Sequence, residues 1–302
     1  MSIQSSSQID RRFVLAGEIT RQVKKEVESK DWRKRSYVEI CEFVEGEIRK
    51  RNAQPAFPCN VCTNEIAAHY TAEIDDTKTV PENALLKVDI GAQVEGFPAD
   101  SAVTLCYNED LLDMTEATRA ALSEALKGIH VGGKTGDVGE IVERYAAKRG
   151  YVPIQNLAGH SLEQYTVHAG VSVPNVWSPS SHTFKQDKVY AIEPFFTTSD
   201  GSGIVVEGRN RNIYALVTRK RIKDQKLNEF MDLIWNKCRT LPFAARWFTE
   251  EYPKQEIHSM LAALLKMRLV RSYPELIEAK GKPVAQAEHT VSPTAQGIVV
   301  LT

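Results

Sequence analysis

No stretch of this chain approaches the roughly 18 consecutive apolar residues that a membrane span requires, so no membrane partner is expected. Neither charge sign dominates: 38 Lys+Arg stand against 39 Asp+Glu, for a net charge of −1. Such a chain has no overall field to hold a polyanion, and no specific nucleic-acid partner is expected without a local basic patch. The five cysteines, an odd number, give no disulfide framework. The opening segment, Met1 to Asp10, is polar and lacks the apolar core of a secretory signal. Low-complexity tracts and internal repeats are also missing. These absences together point to a reducing cytoplasm. What is present is an ordinary globular balance, with 302 residues, 42% hydrophobic and 25% charged. That length supports one large core, or a core with a smaller appendage.

Residues 1–8 are Ser/Gln-rich and read as frayed. Ile9, Phe13, Ala16, Val23 and Val27 recur at helical spacing and predict a helix from about Ile9 to Lys30. Ser36 and Glu39 form a capping-box pair that starts a second helix. From Leu85 to Cys106 the pattern changes to two strands around Val94-Glu95-Gly96, a hairpin. Helical patterns return over Thr115 to His130 and over Asp137 to Arg149, each stopped by glycine. Strands are predicted over Val189 to Phe196, Ile204 to Val206 and Ile213 to Thr218. A helical block then runs from Lys223 to about Met267, and strands close the chain over Pro283 to Val291 and Ile298 to Leu301. Helices bracketed by strands on both sides read as an insertion into an α+β domain.

The hairpin carries the first chemistry. If Val94-Glu95 is its loop, Asp89 faces Asp100; if the loop is Glu95-Gly96, Asp89 faces Ala102 and Asp100 is its diagonal neighbour. Both registers put the two carboxylates on one face, because side chains alternate with period two. Like charges on neighbouring strands repel, so something positive is expected between them. Asp89 alone also reads as sharing a solvated face with Lys87. Gly159-His160 places an imidazole after a small-residue turn, and Val167-His168-Ala169-Gly170 repeats the arrangement eight residues later. A loop histidine is ordinarily solvated, so neither means much by itself. Glu193 and Glu288 each interrupt an apolar strand, where a carboxylate must be paired or bind a cation. A structural salt bridge is the plain alternative for each, yet neither strand carries an adjacent basic residue. Asp89, Asp100, Glu193 and Glu288 with His160 form an oxygen-rich donor set suited to Mn, Fe, Co or Zn, and two divalent cations would balance the four carboxylates.

At these residues the chain resembles the type 2 methionine aminopeptidases. The likeness spans nearly its whole length and rests on Ala56-Phe57-Pro58, the Asn64 to Thr71 segment, the Asp89/Asp100 hairpin, Gly159-His160, His168-Ala169-Gly170, Ala191-Ile192-Glu193-Pro194 and Glu288-His289-Thr290. The resemblance implies an α+β pita-bread fold with pseudo-twofold halves. It places the catalytic domain at 1–210 and 276–302, with an inserted winged-helix-like subdomain at 211–275. Asp89, Asp100, His160, Glu193 and Glu288 would hold two divalent ions, with Asp100 and Glu288 bridging. His69, His168 and Glu193 would be catalytic: His69 at the leaving-group side, His168 at the carbonyl oxygen, and Glu193 accepting a proton from a metal-activated water. Phe57, Val167, Tyr273 and Leu276 would wall the methionine pocket. The implied activity is removal of the initiator methionine from nascent polypeptides whose second residue is small. The implied protein is a cytoplasmic monomer, with the ribosome as a further candidate partner.

Ala287 departs from the family, which often has Phe there. Cys59 and Cys62 make a lone CxxC and read as small, buried residues rather than zinc or redox ligands. The rivals are prolidases and aminopeptidase P, against which Ala56-Phe57-Pro58 and Ala67-Ala68-His69-Tyr70 speak. A non-enzymatic relative that binds ribosomes or nucleic acid is a third. The basic run Arg219-Lys220-Arg221-Ile222-Lys223 that would serve the last reads as solvated surface.

Overall fold

The computed structural model describes residues 9–179 and 182–302, so the expectation for residues 1–8 lies outside it. Helix α1 spans Arg11–Glu28, opened by the Asp10 side chain, which accepts from the Arg12 backbone N–H. Helix α2, Tyr37–Lys50, starts at the expected capping box, with Ser36 and Glu39 each satisfying the other's backbone N–H. Short strands β1 (Gln54–Pro55), β2 (Asn60–Thr63) and β3 (Ile66–Ala68) lead to the long hairpin of β4 (Leu85–Val94) and β5 (Phe97–Cys106). β1, β2 and β5 all pair with β4. The turn is Glu95-Gly96, both with positive φ, at 51° and 87°. That is the turn geometry matching the strand twist, and it selects the register in which Asp89 faces Ala102. Helices α1 and α2 cover one face through Val23, Val27, Ile40, Val44 and Ile48, packed on Val61, Val88 and Ile90.

The second half repeats this plan. Helices α3 (Leu112–Lys127) and α4 (Thr135–Arg149) come first, the latter ended by Gly150 in the left-handed conformation. Strands β6 (Val152–Pro153), β7 (Ala158–Leu162), β8 (Ser172–Pro174), β9 (Val189–Ile192), β10 (Phe195–Thr197) and β11 (Val205–Glu207) follow. Met114, Leu122, Val138 and Val142 pack on Tyr190, Ile192 and Phe196.

The block expected to be helical over Lys223 to about Met267 contains one short strand and is bracketed by two others, the first of them expected. β12 (Ile213–Leu216) precedes α5 (Gln225–Cys238), then β13 (Phe243–Ala244), α6 (Lys254–Lys266) and β14 (Val270–Tyr273). β13 and β14 flank β12 in one sheet, and with α5 and α6 they enclose a core of their own around Phe230, Ile234, Phe248 and Leu264. The chain then returns through β15 (Leu276–Glu278), which joins β11 to β3. β16 (Val284–Gln286), β17 (His289–Thr294) and β18 (Gly297–Val300) complete it.

Two expected strands are broken, and both breaks matter. The strand over Val189 to Phe196 stops at Glu193-Pro194, and that over Pro283 to Val291 stops at Ala287-Glu288. β9 pairs with β17 in one sheet while β10 pairs with β16 in another. Both segments therefore change sheets at the same place, and Ala287 N–H donates to Pro194 O across the gap. β5 is attached to this second half by side-chain hydroxyls. Thr290 Oγ1 accepts from Asp100 N–H and donates to Asp100 O; Ser101 Oγ donates to Glu288 O. Thr104 Oγ1 bonds both backbone groups of Gln286.

Candidate active site

These junctions decide which side chains meet. Asp89 and Asp100 point to the same face of the β4/β5 hairpin. His160 stands on β7 and not on a loop. Gly159 is small there for a reason: a Cβ would lie 2.2 Å from Ala191 O on the adjacent strand. Glu193 and Glu288 sit in the two strand breaks, freed from the alternation that would otherwise fix their direction. All five donors converge. His160 Nε2 is 3.6 Å from both Asp100 Oδ2 and Glu193 Oε1. Donor atoms of Asp100, His160 and Glu288 lie within 4.8 Å of one another. Asn60, directly opposite Asp89 on β2, donates from Nδ2 to Asp89 Oδ2 at 3.1 Å. Gln286 Nε2 donates to Glu288 Oε2 at 3.2 Å.

Burial is the main cause that raises the pKa of these four carboxyl groups, with repulsion among them second at Asp100, Glu193 and Glu288. Burial pushes Asp89 to about 6, opposed by bonds from Asp100 and Asn60. Burial first, and then Glu288 and Asp89, holds Asp100 well above the carboxylate range. Glu193 is raised by burial and then by Asp100 and Asp89; Glu288 is raised by burial and then by Glu193 and Asp89. The structural alternative, neutralisation by a basic side chain, is not met: among the described residues only His160 ion-pairs with Asp100 or Glu193. Lys24, the nearby ammonium, is turned to Ser101 Oγ and His289 Nδ1. Asp89 Oδ1, Asp100 Oδ1 and Glu288 Oε1 are buried without a hydrogen-bond partner. Orphaned anionic oxygens beside a ring nitrogen are the donor chemistry of a divalent cation, and the residues fit one.

The donors open on a cavity of about 360 Å³, lined by Phe57, Val167, Tyr273 and Leu276 together with His69 and His168. Phe57 reaches it by lying over Gly91, where a Cβ would sit 2.2 Å from the ring. His69 has φ of 64°, a strained value for a side chain with a Cβ. Its ring meets Tyr273 edge-on at 5.9 Å. Burial, then the charge of His168, holds His69 down to about 4, so its ring is neutral at neutral pH. His168 contacts the His160 ring at 4.3 Å, and burial, then Arg271, lowers its pKa. Every site residue expected from the sequence except Glu288 therefore lines one space, and Glu288 lies behind it against Asp100 and His160. Asn60, Phe195, Ile213 and Pro242, which also line it, were not foreseen. The signal for Asn60 was its place between Phe57 and His69, and it needed the β2–β4 pairing to be read. Ala287 is buried in the second core, and Cys59 and Cys62 are buried thiols whose pKa burial raises, Cys62 to about 12. Neither cysteine belongs to the donor cluster.

A buried, oxygen-rich cation site at the junction of two similar halves defines a metal-dependent hydrolase class. The comparisons give the family: residues 11–213 match the model of metallopeptidase family M24, and the chain belongs to that family. Its fold is the pita-bread fold of that family. It is 40% identical over 291 residues to a methionine aminopeptidase of Thermococcus onnurineus, covering 96% of this chain and 98% of the relative. It is 38% identical over 294 residues to one of Saccharolobus solfataricus, covering 96% and 97%. A solved methionine aminopeptidase from Thermotoga maritima superposes with a TM-score of 0.71 at 19% identity, covering 100% of this chain and 99% of that one. A thermophilic Arx1 superposes at 0.82 with 15% identity, covering 98% and 91%. The last two likenesses bear on the fold alone.

Proposed function

We propose that this chain is a two-metal aminopeptidase of the type 2 class that removes the initiator methionine from newly made proteins whose second residue is small. One observation supports this above the rest. Asp89, Asp100, Glu193 and His160, drawn from both halves of the chain, share a cavity walled by Phe57, Val167, Tyr273 and Leu276, and Glu288 clusters with Asp100 and His160 beside it. The near full-length archaeal relatives point to the same activity.

Asp89, Asp100, His160, Glu193 and Glu288 would hold the ions, and four carboxylate charges suit two divalent cations of Mn, Fe, Co or Zn. When bound, such ions supply the Lewis acidity that makes water nucleophilic at neutral pH. The protein's own groups do the rest. Glu193 accepts the proton of the attacking water and returns one to the departing amine. His69, neutral and edge-on to Tyr273, hydrogen-bonds the leaving side of the scissile amide. His168 donates to the carbonyl oxygen as it gains charge. The walls receive an unbranched thioether and exclude water, and a bulky second residue would clash.

Residues 211–275, with their own sheet and core, are the inserted winged-helix-like subdomain, and they lend Ile213, Pro242 and Tyr273 to the cavity. A cytoplasmic setting is supported by five unpaired cysteines. No described helix is long and apolar enough to cross a membrane. The test is release of methionine from Met-Ala-Ser, Met-Lys-Ser and an Ala-Pro peptide by metal-loaded protein. Cleavage of the first alone is expected. Equal rates on the first two would remove the specificity, and preference for the Ala-Pro peptide would move the chain to the prolidase side of the fold.

A further inference from the structure

The cavity has an extension that the chemistry above does not use. A second hollow of about 250 Å³ shares Val167, His168, Pro242 and Tyr273 with it and continues outward past Tyr165, Thr240, Val217 and Arg271. Val217 is 56% exposed, so this is the open end. A substrate polypeptide whose first residue fills the cavity has to leave through an opening, and this groove is walled by the same side chains.

Arg271 gives the groove its character. No residue lining it is acidic. Among the described residues Arg271 has no carboxylate partner; its guanidinium lies 5.1 Å from the centre of the Tyr273 ring. Arg219 and Arg221, by contrast, both pair with Asp232, and Arg239 lies over the Trp235 ring. Arg271 and Tyr273 are two residues apart on β14, hence on the same face and about 6.6 Å apart along the strand. An extended substrate advances by that same step for every two residues. With its methionine beside Tyr273, its third residue comes level with Arg271, and the fourth lies within the span of the long guanidinium side chain.

We propose that Arg271 is a specificity-determining residue that favours substrates with an acidic side chain at the third or fourth position and disfavours a basic one there. The inference rests on the aminopeptidase reading. The experiment compares kcat/KM for Met-Ala-Asp-Ala, Met-Ala-Ala-Asp and Met-Ala-Lys-Ala, each relative to Met-Ala-Ala-Ala. The enzymes are wild type, Arg271→Gln and Arg271→Glu. An exposed ion pair of ordinary strength predicts that wild type prefers the better Asp peptide over the Lys peptide by about fivefold at low salt. The preference should fade near ~1 M salt, where screening acts within ~3 Å. Arg271→Gln should level it and Arg271→Glu should invert it, which a merely structural arginine would not do. Equal wild-type rates on the Asp and Lys peptides, or a preference unchanged in Arg271→Glu, overturn the inference and leave the aminopeptidase reading standing. Failure of wild type to cleave even Met-Ala-Ala-Ala would overturn that reading, and the role of Arg271 with it.

Discussion

Replacing Arg246 with Met should cost more stability than any surface change, because Arg246 neutralises a carboxylate that no water reaches. Glu45 on α2 is 1% exposed. It accepts from the Arg246 guanidinium, from Trp247 Nε1 at 2.6 Å and from Cys59 N–H at 3.2 Å. Arg246 also donates to Thr71 Oγ1 at 2.9 Å and Ala72 O at 3.0 Å, just after His69 in the chain. One ion pair thus ties the first helix layer, the His69 segment and the inserted block together. Arg246→Met leaves buried Glu45 with two neutral donors and only the longer, 3.8 Å pair to the part-exposed Arg49, and breaking the close buried pair costs about 3–5 kcal/mol. At about 2.1 cal/mol/K of unfolding entropy per residue, that lowers the Tm of this 302-residue chain by roughly 6 °C. The double variant Glu45→Met/Arg246→Met removes both charges and should recover most of the loss. Differential scanning calorimetry and urea titration read both. A single variant within a degree of wild type, or a double variant no better than the single, would refute the reasoning.

Three further outcomes follow from the same geometry. His168→Ala should lower kcat by about 10²–10³ with little change in KM, since its bond strengthens only as the carbonyl oxygen gains charge; an equal rise in KM would mean ordinary substrate binding. Asp100→Asn should reduce metal retained after dialysis as well as activity, and full metal content with lost activity would separate Asp100 from the ions. Glu278 should contribute stability only above the acid range. Burial raises its pKa, but Ser202 and the backbone N–H groups of Lys282, Ser202 and Lys280 outweigh that and bring it below the ordinary glutamate value. A lowered folded pKa adds stability above the unfolded value of about 4.3 and loses it as pH falls through the folded one. The gap in urea midpoint between wild type and Glu278→Gln should therefore hold from pH 7 to about 5 and close below about 4; a gap independent of pH would count against it.

What was legible in the sequence was local. The Ser36/Glu39 box marks a helix start because both partners lie within one turn. The hairpin alternation put Asp89 and Asp100 on one face whichever register held, and the backbone demand at Glu95-Gly96 chose between registers. The breaks at Glu193 and Glu288 were not legible, because each strand exchanges partners with the other, nearly a hundred residues away. Read one at a time, both look like continuous apolar strands. Phe243–Ala244 was hidden because a two-residue apolar strand between two helical stripes has no period of its own, and Val270–Tyr273 because its Val-Arg-Ser-Tyr sequence shows no apolar alternation. Asn60 needed β2 to be placed beside β4, and no side chain on either strand announces that pairing.

Metal stoichiometry by mass spectrometry, on protein purified without added metal and then titrated with Mn, tests the shared ion site most directly. Two equivalents per chain are expected, falling in Glu288→Gln while its circular dichroism matches wild type. A wild-type chain that folds, cleaves Met-Ala-Ser and keeps its rate with no divalent ion after chelation would contradict the account at its root.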